Sequence, residues 1–352
     1  MQPLSLTGRA ALAEKILSTR EQVAKAVTEE FFQRHPDWLA RYGERGRRLG
    51  VEDAIYHQSY LASAIQTGTA APFVDYIRWT VAMLGARNIA AHFVVENLEQ
   101  IRQALQPLLS AAEHELVTDT IRTACDAEAG APPESAADAI CPPTALSLAR
   151  ELYLRAALKG DRRAATNIAL EALGKVTDVV DLYVDLFQAA QYEVGRLWQE
   201  TKITVAEEHM ATAITQYVLA QVYGQLEANG QDRGRLVITG IEGELHQVGA
   251  NMVADVFEAR GWNVRFLGTN MPHPGVLEAV EEHRAEVVGI SATMLLSIPK
   301  AVRLVEALRE RFQADCPRII LGGRAFAYAP ELARELSVEG PATDLRSALA
   351  LV

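Results

Sequence analysis

The stretch Leu236-Val237-Ile238-Thr239-Gly240-Ile241-Glu242-Gly243-Glu244-Leu245-His246-Gln247-Val248-Gly249 decides the fold of this chain. A short apolar run without polar alternation suits a strand buried on both faces. Here it empties into a polar loop ahead of an amphipathic segment, Gln247 to Arg260, with helical spacing. The unit recurs: Val264 to Gly268, Val287 to Ser291 and Ile319 to Gly323 are further runs, with helices expected over Gly275 to Arg284 and Ile298 to Phe312. Helices of that length serve as right-handed crossovers, so residues 231–352 are expected to form a Rossmann-like, doubly wound parallel sheet. Ligands of such sheets sit at the carboxyl ends of the strands. Glu242–Gly249, Gly268–Met271, Ser291–Leu295 and Gly322–Ala325 are therefore the segments where a site is expected.

Upstream of Asp232 the spacing is helical throughout. Ala145 to Lys159, Arg162 to Leu173, Val176 to Glu200 and Val205 to Asn229 read as a four-helix bundle over residues 144–230. Asp126 to Pro143 loses hydrophobic periodicity and carries Pro132-Pro133 and Pro142-Pro143, which marks a linker over 126–143. Before it, Thr7 to Gln33, Pro36 to Leu49, Val51 to Gln66, Ala71 to Leu84, His92 to Leu109 and Leu116 to Ala127 give an all-helical domain over residues 1–125. The fold class is therefore α plus α/β, and 352 residues exceed what one core usually serves.

Composition narrows the function classes. No uncharged apolar run approaches the roughly 20 residues that span a bilayer, and Met1 to Ser5 shows no secretory pattern, so a cytoplasmic protein is expected. Three scattered cysteines, Cys125, Cys141 and Cys316, fit neither a disulfide framework nor a zinc site. A formal net charge of −11 with no Lys/Arg stripe to offset it argues against direct nucleic-acid binding.

In the first loop, Glu244 stands two residues before His246 and Gly249 three after it. A metal-ligating imidazole usually gives its second ring N–H to a carboxylate, which fixes the tautomer, so Glu244 is the natural partner of His246. Gly249 lets backbone pass close to a bulky ligand. Taken alone, the motif is more commonly a loop histidine with a chance acidic neighbour. After the third run Ser291 and Thr293 place hydroxyls two residues apart, and after the fourth Gly322-Gly323 removes side chains, which together suit a deep, narrow slot.

These elements, in this order, resemble the cobalamin-binding domain of the methionine synthase superfamily, whose pattern is Asp-x-His-x-x-Gly, then Ser-x-Leu or Ser-x-Thr, then Gly-Gly. The resemblance implies base-off, histidine-on cobalamin with His246 as the lower axial ligand of cobalt. It also implies that Leu245, Gln247, Val248 and Gly249 flank the corrin and that the nucleotide tail lies near Ser291, Thr293, Gly322 and Gly323. Glu244 stands where many members carry Asp.

In the bundle, Trp198 lies ten positions before Glu208, with Val205 and His209 alongside. A helix Trp is commonly core and a Glu-His pair commonly solvated surface. The spacing nevertheless resembles B12-dependent photoreceptors of the CarH type, in which these residues shelter the adenosyl group of adenosylcobalamin. On that resemblance Trp198 and Val205 pack against adenosine, Glu208 hydrogen-bonds it, His209 stands behind, and light cleaves the cobalt–carbon bond. Gln199 replaces the histidine that takes the upper cobalt position after photolysis in that type, so the photoproduct's upper ligand stays open.

The N-terminal domain shows no basic recognition helix. It concentrates aromatics and arginines at Trp38, Tyr42, Arg45, His57, Tyr60, Tyr76, Arg78 and Trp79. Such a set would clamp a flat conjugated ligand with carboxylate arms, and would equally suit a helical dimerisation surface. An all-helical domain joined to an adenosylcobalamin module resembles the photocobilins, which implies biliverdin. His57 and His92 are also candidate haem ligands in a globin-like arrangement.

The leading expectation is a light sensor rather than an enzyme, a homodimer or higher homo-oligomer whose packing changes on photolysis. With no effector segment read after Val352, output is expected to pass through assembly state or to a separate protein. The alternative is a corrinoid methyl carrier for a separate methyltransferase, for which the Rossmann part reads the same. An adenosylcobalamin mutase would need a substrate barrel, and no region reads as one.

Overall fold

Helical spacing becomes helix in the computed structural model, which describes residues 4–128, 143–226 and 232–352. Two compact units divide it: Met1–Pro133 with Met294–Val302, and Glu134–Thr293 with Arg303–Val352. The expected linker lies largely outside the described residues.

In the first unit α1 (Leu6–Arg34) starts where the Ser5 side chain accepts from the Gly8 N–H, an N-cap that satisfies one orphan donor. Leu12, Ile16, Val23, Val27 and Phe31 recur at helical spacing along its buried side. The expected break at Gly50 is absent. α2 runs over Pro36–Thr67, and its one non-helical residue is Gly43 at φ 58°, ψ −158°, a conformation that a glycine tolerates and a Cβ opposes. α3 (Ala71–Gly85), α4 (Ala91–Leu105) and α5 (Ala111–Glu128) complete the helices of this unit that precede the bundle.

The second unit opens with a helical bundle. α6 (Ser147–Leu158) and α7 (Arg162–Leu173) are followed by α8, which joins Val179–Leu182, a π-helical Tyr183–Gln188 and Ala189–Gln199. α9 (Val205–Tyr223) begins with a capping box between Thr204 and Glu207. Tyr153, Tyr183, Phe187, Ile214, Val218 and Val222 form its core, and Met252 and Val256 of the next helix, α10 (Val248–Ala259), join the same cluster. Each buried side chain of that size stabilises the fold by about 1.5–3 kcal/mol, so α10 is tied to the bundle by the core they share, while the strand residues Leu236, Ile238, Val287 and Ile320 belong to a second cluster.

Strands β1 (Arg235–Gly240), β2 (Asn263–Phe266), β3 (Val287–Ser291), β4 (Arg318–Gly322) and β5 (Glu339–Ala342) form one sheet in the order β2-β1-β3-β4-β5. Every neighbouring pair is parallel. α11 (His273–His283), α12 (Ile298–Phe312), α13 (Arg324–Ala327), α14 (Pro330–Glu335) and α15 (Leu345–Ala350) are the remaining α-helices of the described residues. The expected class, all-helical segments followed by a doubly wound parallel sheet, is the one observed. β5 went unread because Glu339-Gly340-Pro341-Ala342 looks like a turn, and an edge strand is where a sheet tolerates Gly and Pro. Among the described residues no helix is long and apolar enough to cross a membrane.

Candidate cofactor site

Register brings the sequence motifs together. Gly240 pairs with Ser291, and Ser291 with Gly322, so the carboxyl ends of β1, β3 and β4 lie side by side. The loop after β1 carries Glu244 and His246 over this edge. Glu244 is 1% exposed, whereas the His246 side chain is 56% exposed.

A buried carboxylate needs donors, and Glu244 has them on both oxygens. Oε1 meets His246 Nδ1 at 2.5 Å and accepts from the His246 backbone N–H at 3.0 Å; Oε2 accepts from the Thr293 N–H at 2.7 Å. Burial pushes the Glu244 carboxyl up, but these donors outweigh it and hold it below the ordinary value. The bond to Glu244 raises the His246 imidazole above its ordinary value, burial opposes this, and the charge of Glu208 adds to the rise. With Nδ1 occupied, Nε2 is the nitrogen left for a metal.

Around it Leu245, Gln247 and Gly249 are exposed and Val248 is half-buried. A Cβ added at Gly249 would meet nothing within 4 Å, so this glycine leaves open space in front of the loop. Gly322 and Gly323 have close backbone neighbours. A Cβ at Gly322 would come 3.1 Å from the Ala342 carbonyl oxygen, and Gly323, at φ 96°, would place one 2.4 Å from that of Ala292. At Gly323 the chain's own backbone demands glycine. Ser291 and Thr293 are half-buried at the same edge.

Trp198 is the last residue but one of α8 and Val205 starts α9, 39% and 56% exposed. Glu208 is held by His209 Nδ1 at 2.5 Å and the Thr212 hydroxyl at 3.3 Å, with the His209 ring largely in solvent. Its effect on the His246 imidazole brings the bundle's carboxylate within electrostatic reach of the loop.

Beside the loop, Gln247, Val248, Asn251 and Asp255 line a cavity of about 290 Å3 with Leu219 and Tyr223. Sequence reasoning missed Asp255. It is buried, accepts from Tyr183 Oη at 3.1 Å and Asn251 Nδ2 at 3.2 Å, and is pushed by burial to a pKa of about 7.

The residues expected to take a flat ligand in the first unit fall into separate groups. Trp38 and Tyr42 meet at a tilt, ring centroids 5.1 Å apart, with Trp38 also edge-on against Phe31 and Phe93. His57, 3% exposed, bonds Tyr76 Oη through Nδ1 at 2.8 Å, and Tyr60 stacks on Tyr76 at 3.7 Å. Trp79 lies 6.2 Å from the Tyr76 ring. Arg78 donates to the Ala127 carbonyl, and Arg45 is exposed. Of the two candidate haem ligands, His57 is buried and His92 is exposed against Phe93.

Among the described residues no group of three or more His, Cys, Asp or Glu side chains could hold a metal ion. A corrinoid brings its own ring nitrogens, so a single oriented imidazole at an open strand edge suffices. The residues present fit that group.

A B12 binding domain model matches residues 234–350, and a second B12 binding domain model matches residues 149–223. A corrinoid protein of Desulfitobacterium hafniense is 26% identical over 182 residues, 51% of this chain and 84% of that protein. Trimethylamine corrinoid protein 1 of Methanosarcina acetivorans is 27% identical over 194 residues, 53% of this chain and 88% of that protein. The monomethylamine corrinoid protein of Methanosarcina barkeri superposes with a TM-score of 0.52 at 20% identity, covering 59% of this chain and 99% of that one. That last likeness is one of fold. Two stretches of this chain thus match B12 binding domain models, and the Glu244–His246 pair lies within one of them.

Proposed function

We propose that the chain is a corrinoid carrier: it holds cobalamin on His246 and presents the group on cobalt to a separate methyltransferase. The observation that carries this reading is the Glu244–His246 pair, a buried carboxylate that fixes the tautomer of an exposed imidazole. The names of the relatives support a methyl group as cargo, since they join corrinoid proteins to methylated amines. When bound, the corrinoid supplies a cobalt–carbon bond. The protein's part is to orient His246, to keep Nδ1 protonated against Glu244, and to leave space at Gly249.

A second reading, the adenosylcobalamin light sensor, is favoured by exposed Trp198 and Val205 beside Glu208, an apolar and acidic set suited to an adenosyl group. In that reading the first unit takes biliverdin, His57, Tyr60 and Tyr76 being its most closely grouped aromatic set, and a homo-oligomer carries the output.

One experiment separates the two. The purified chain is loaded in darkness with methylcobalamin or adenosylcobalamin, with and without biliverdin, and absorption and elution volume are recorded before and after green light beside His246→Ala. A carrier shows no light-driven change of elution and surrenders its methyl group to a thiol acceptor only with an added methyltransferase. A change of elution with the adenosyl form alone overturns the carrier reading in favour of the sensor.

A further inference from the structure

A second cavity lies in the same unit, beside the segments that follow β4 and β5. It has a volume of about 460 Å3, within the range of small-molecule sites. Its walls come from α6 and the π-helical turn of α8 on one side and from the segments after β4 and β5 on the other.

Its charges do not cancel. Arg346 is committed to Asp181 and Asp185 at 2.9 and 3.1 Å. Asp344 is committed to the start of α15, where it accepts from the Ser347 N–H. Arg150 and Arg324 line the cavity from opposite sequence halves, and among the described residues neither guanidinium has an acceptor. Tyr192, whose oxygen accepts from Gln188, keeps its O–H for another acceptor, and Tyr328 adds a further hydroxyl. A cavity of small-molecule size, with two uncommitted guanidiniums and phenolic donors, is arranged for an anion.

We propose that this cavity is an anion site that takes a phosphate group, held between Arg150 of the bundle and Arg324 of the sheet edge. Donors arriving from two separate elements suit a tetrahedral oxyanion better than a planar carboxylate met from one side. The phosphate has two sources. It belongs to a free phosphate-bearing molecule, or it is the phosphodiester of cobalamin's own nucleotide loop, since Arg324 follows directly on Gly322-Gly323. The second source rests on the cobalamin reading above.

The test compares the full chain with the Arg150→Gln/Arg324→Gln double variant and with Arg311→Gln, an exposed control, after circular dichroism has shown matching melting curves. Each is titrated with inorganic phosphate, with cobalamin, and with cobinamide, which lacks the nucleotide loop and its phosphate. Phosphate binding weakened by about tenfold or more in the double variant alone supports the site with a free ligand. Cobalamin binding weakened to that extent, with cobinamide unchanged, supports it with the cofactor as source. A double variant that matches the parent for all three ligands overturns it. If the parent binds neither corrinoid, the cobalamin reading fails, and the phosphate titration still decides the site.

Discussion

Glu244 ties His246 to Thr293: one carboxylate oxygen meets the imidazole at 2.5 Å and the other takes the Thr293 N–H at 2.7 Å. The loop after β1 is thereby locked to the end of β3, so the ring's direction is set by the sheet rather than by the loop alone.

That double acceptance makes glutamine a poor substitute. In Glu244→Gln one oxygen becomes an NH2 group facing either the imidazole N–H or the Thr293 N–H, a donor against a donor. Cobalamin affinity of the variant is expected to fall by about 10–100-fold. Spectral titration beside the parent chain checks it; equal affinity would show that the carboxylate does not orient the ligand.

Two glycines are expected to respond in opposite ways to alanine. Gly323→Ala forces a side chain onto the Ala292 carbonyl at a positive φ and should lower unfolding free energy by more than about 1 kcal/mol in urea. Gly249→Ala meets nothing and should fold like the parent, yet bind cobalamin less well if the corrin passes close to this backbone. A stable Gly323→Ala, or a Gly249→Ala that does not fold, would contradict this account of the loop.

Asp255 sets a dependence on pH. Its folded pKa of about 7 lies above the ordinary value of 3.8, because burial between Tyr183, Asn251 and α9 disfavours the charge, and neighbouring Glu258 adds repulsion. The folded state then binds more protons than the unfolded one between those values, so this group's contribution to stability is present at low pH and is lost as pH rises towards 7. Asp255→Asn keeps an acceptor for Tyr183 and removes the charge. It is expected to be more stable than the parent at pH 8, by about 1 kcal/mol or more, with the difference vanishing near pH 4. Urea unfolding across that range measures it, and a constant difference would refute the assignment.

In the first unit His57 behaves with the reverse sign. Burial lowers its pKa from 6.5 to about 4, so it stays neutral in the fold, and stability is lost as pH falls through that interval. Tyr76→Phe removes the partner of its Nδ1 and is expected to cost about 1–3 kcal/mol at neutral pH. An unchanged urea midpoint would show that the His57–Tyr76 bond contributes nothing.

The sheet and most of the site edge were legible because parallel strands buried on both faces leave continuous apolar runs, and their register aligns Gly240, Ser291 and Gly322 automatically. The pairing of Glu244 with His246 was legible as a spacing. The second bond of Glu244 was not, since its donor is the Thr293 backbone, and a main-chain N–H leaves no mark on residue type. Asp255 and Tyr183 are 72 positions apart, and nothing local announces that the fold will bury them together. The π-helical turn in α8 and the short edge strand β5 carried no periodic signal of their own. The aromatics and arginines of the first unit were conspicuous in sequence, but the structure sorts them into separate groups, because helix faces and not sequence proximity decide which side chains meet.

The most direct measurement is electron paramagnetic resonance of the chain loaded with cobalamin and reduced to the cobalt(II) form, prepared with ordinary histidine and with 15N-histidine. Ligation by His246 predicts that the axial nitrogen triplet becomes a doublet in the labelled protein and that the signal is lost or reverts in His246→Ala. A triplet indifferent to the label would mean that the cofactor keeps its own base on cobalt, and would contradict the role assigned to the Glu244–His246 pair.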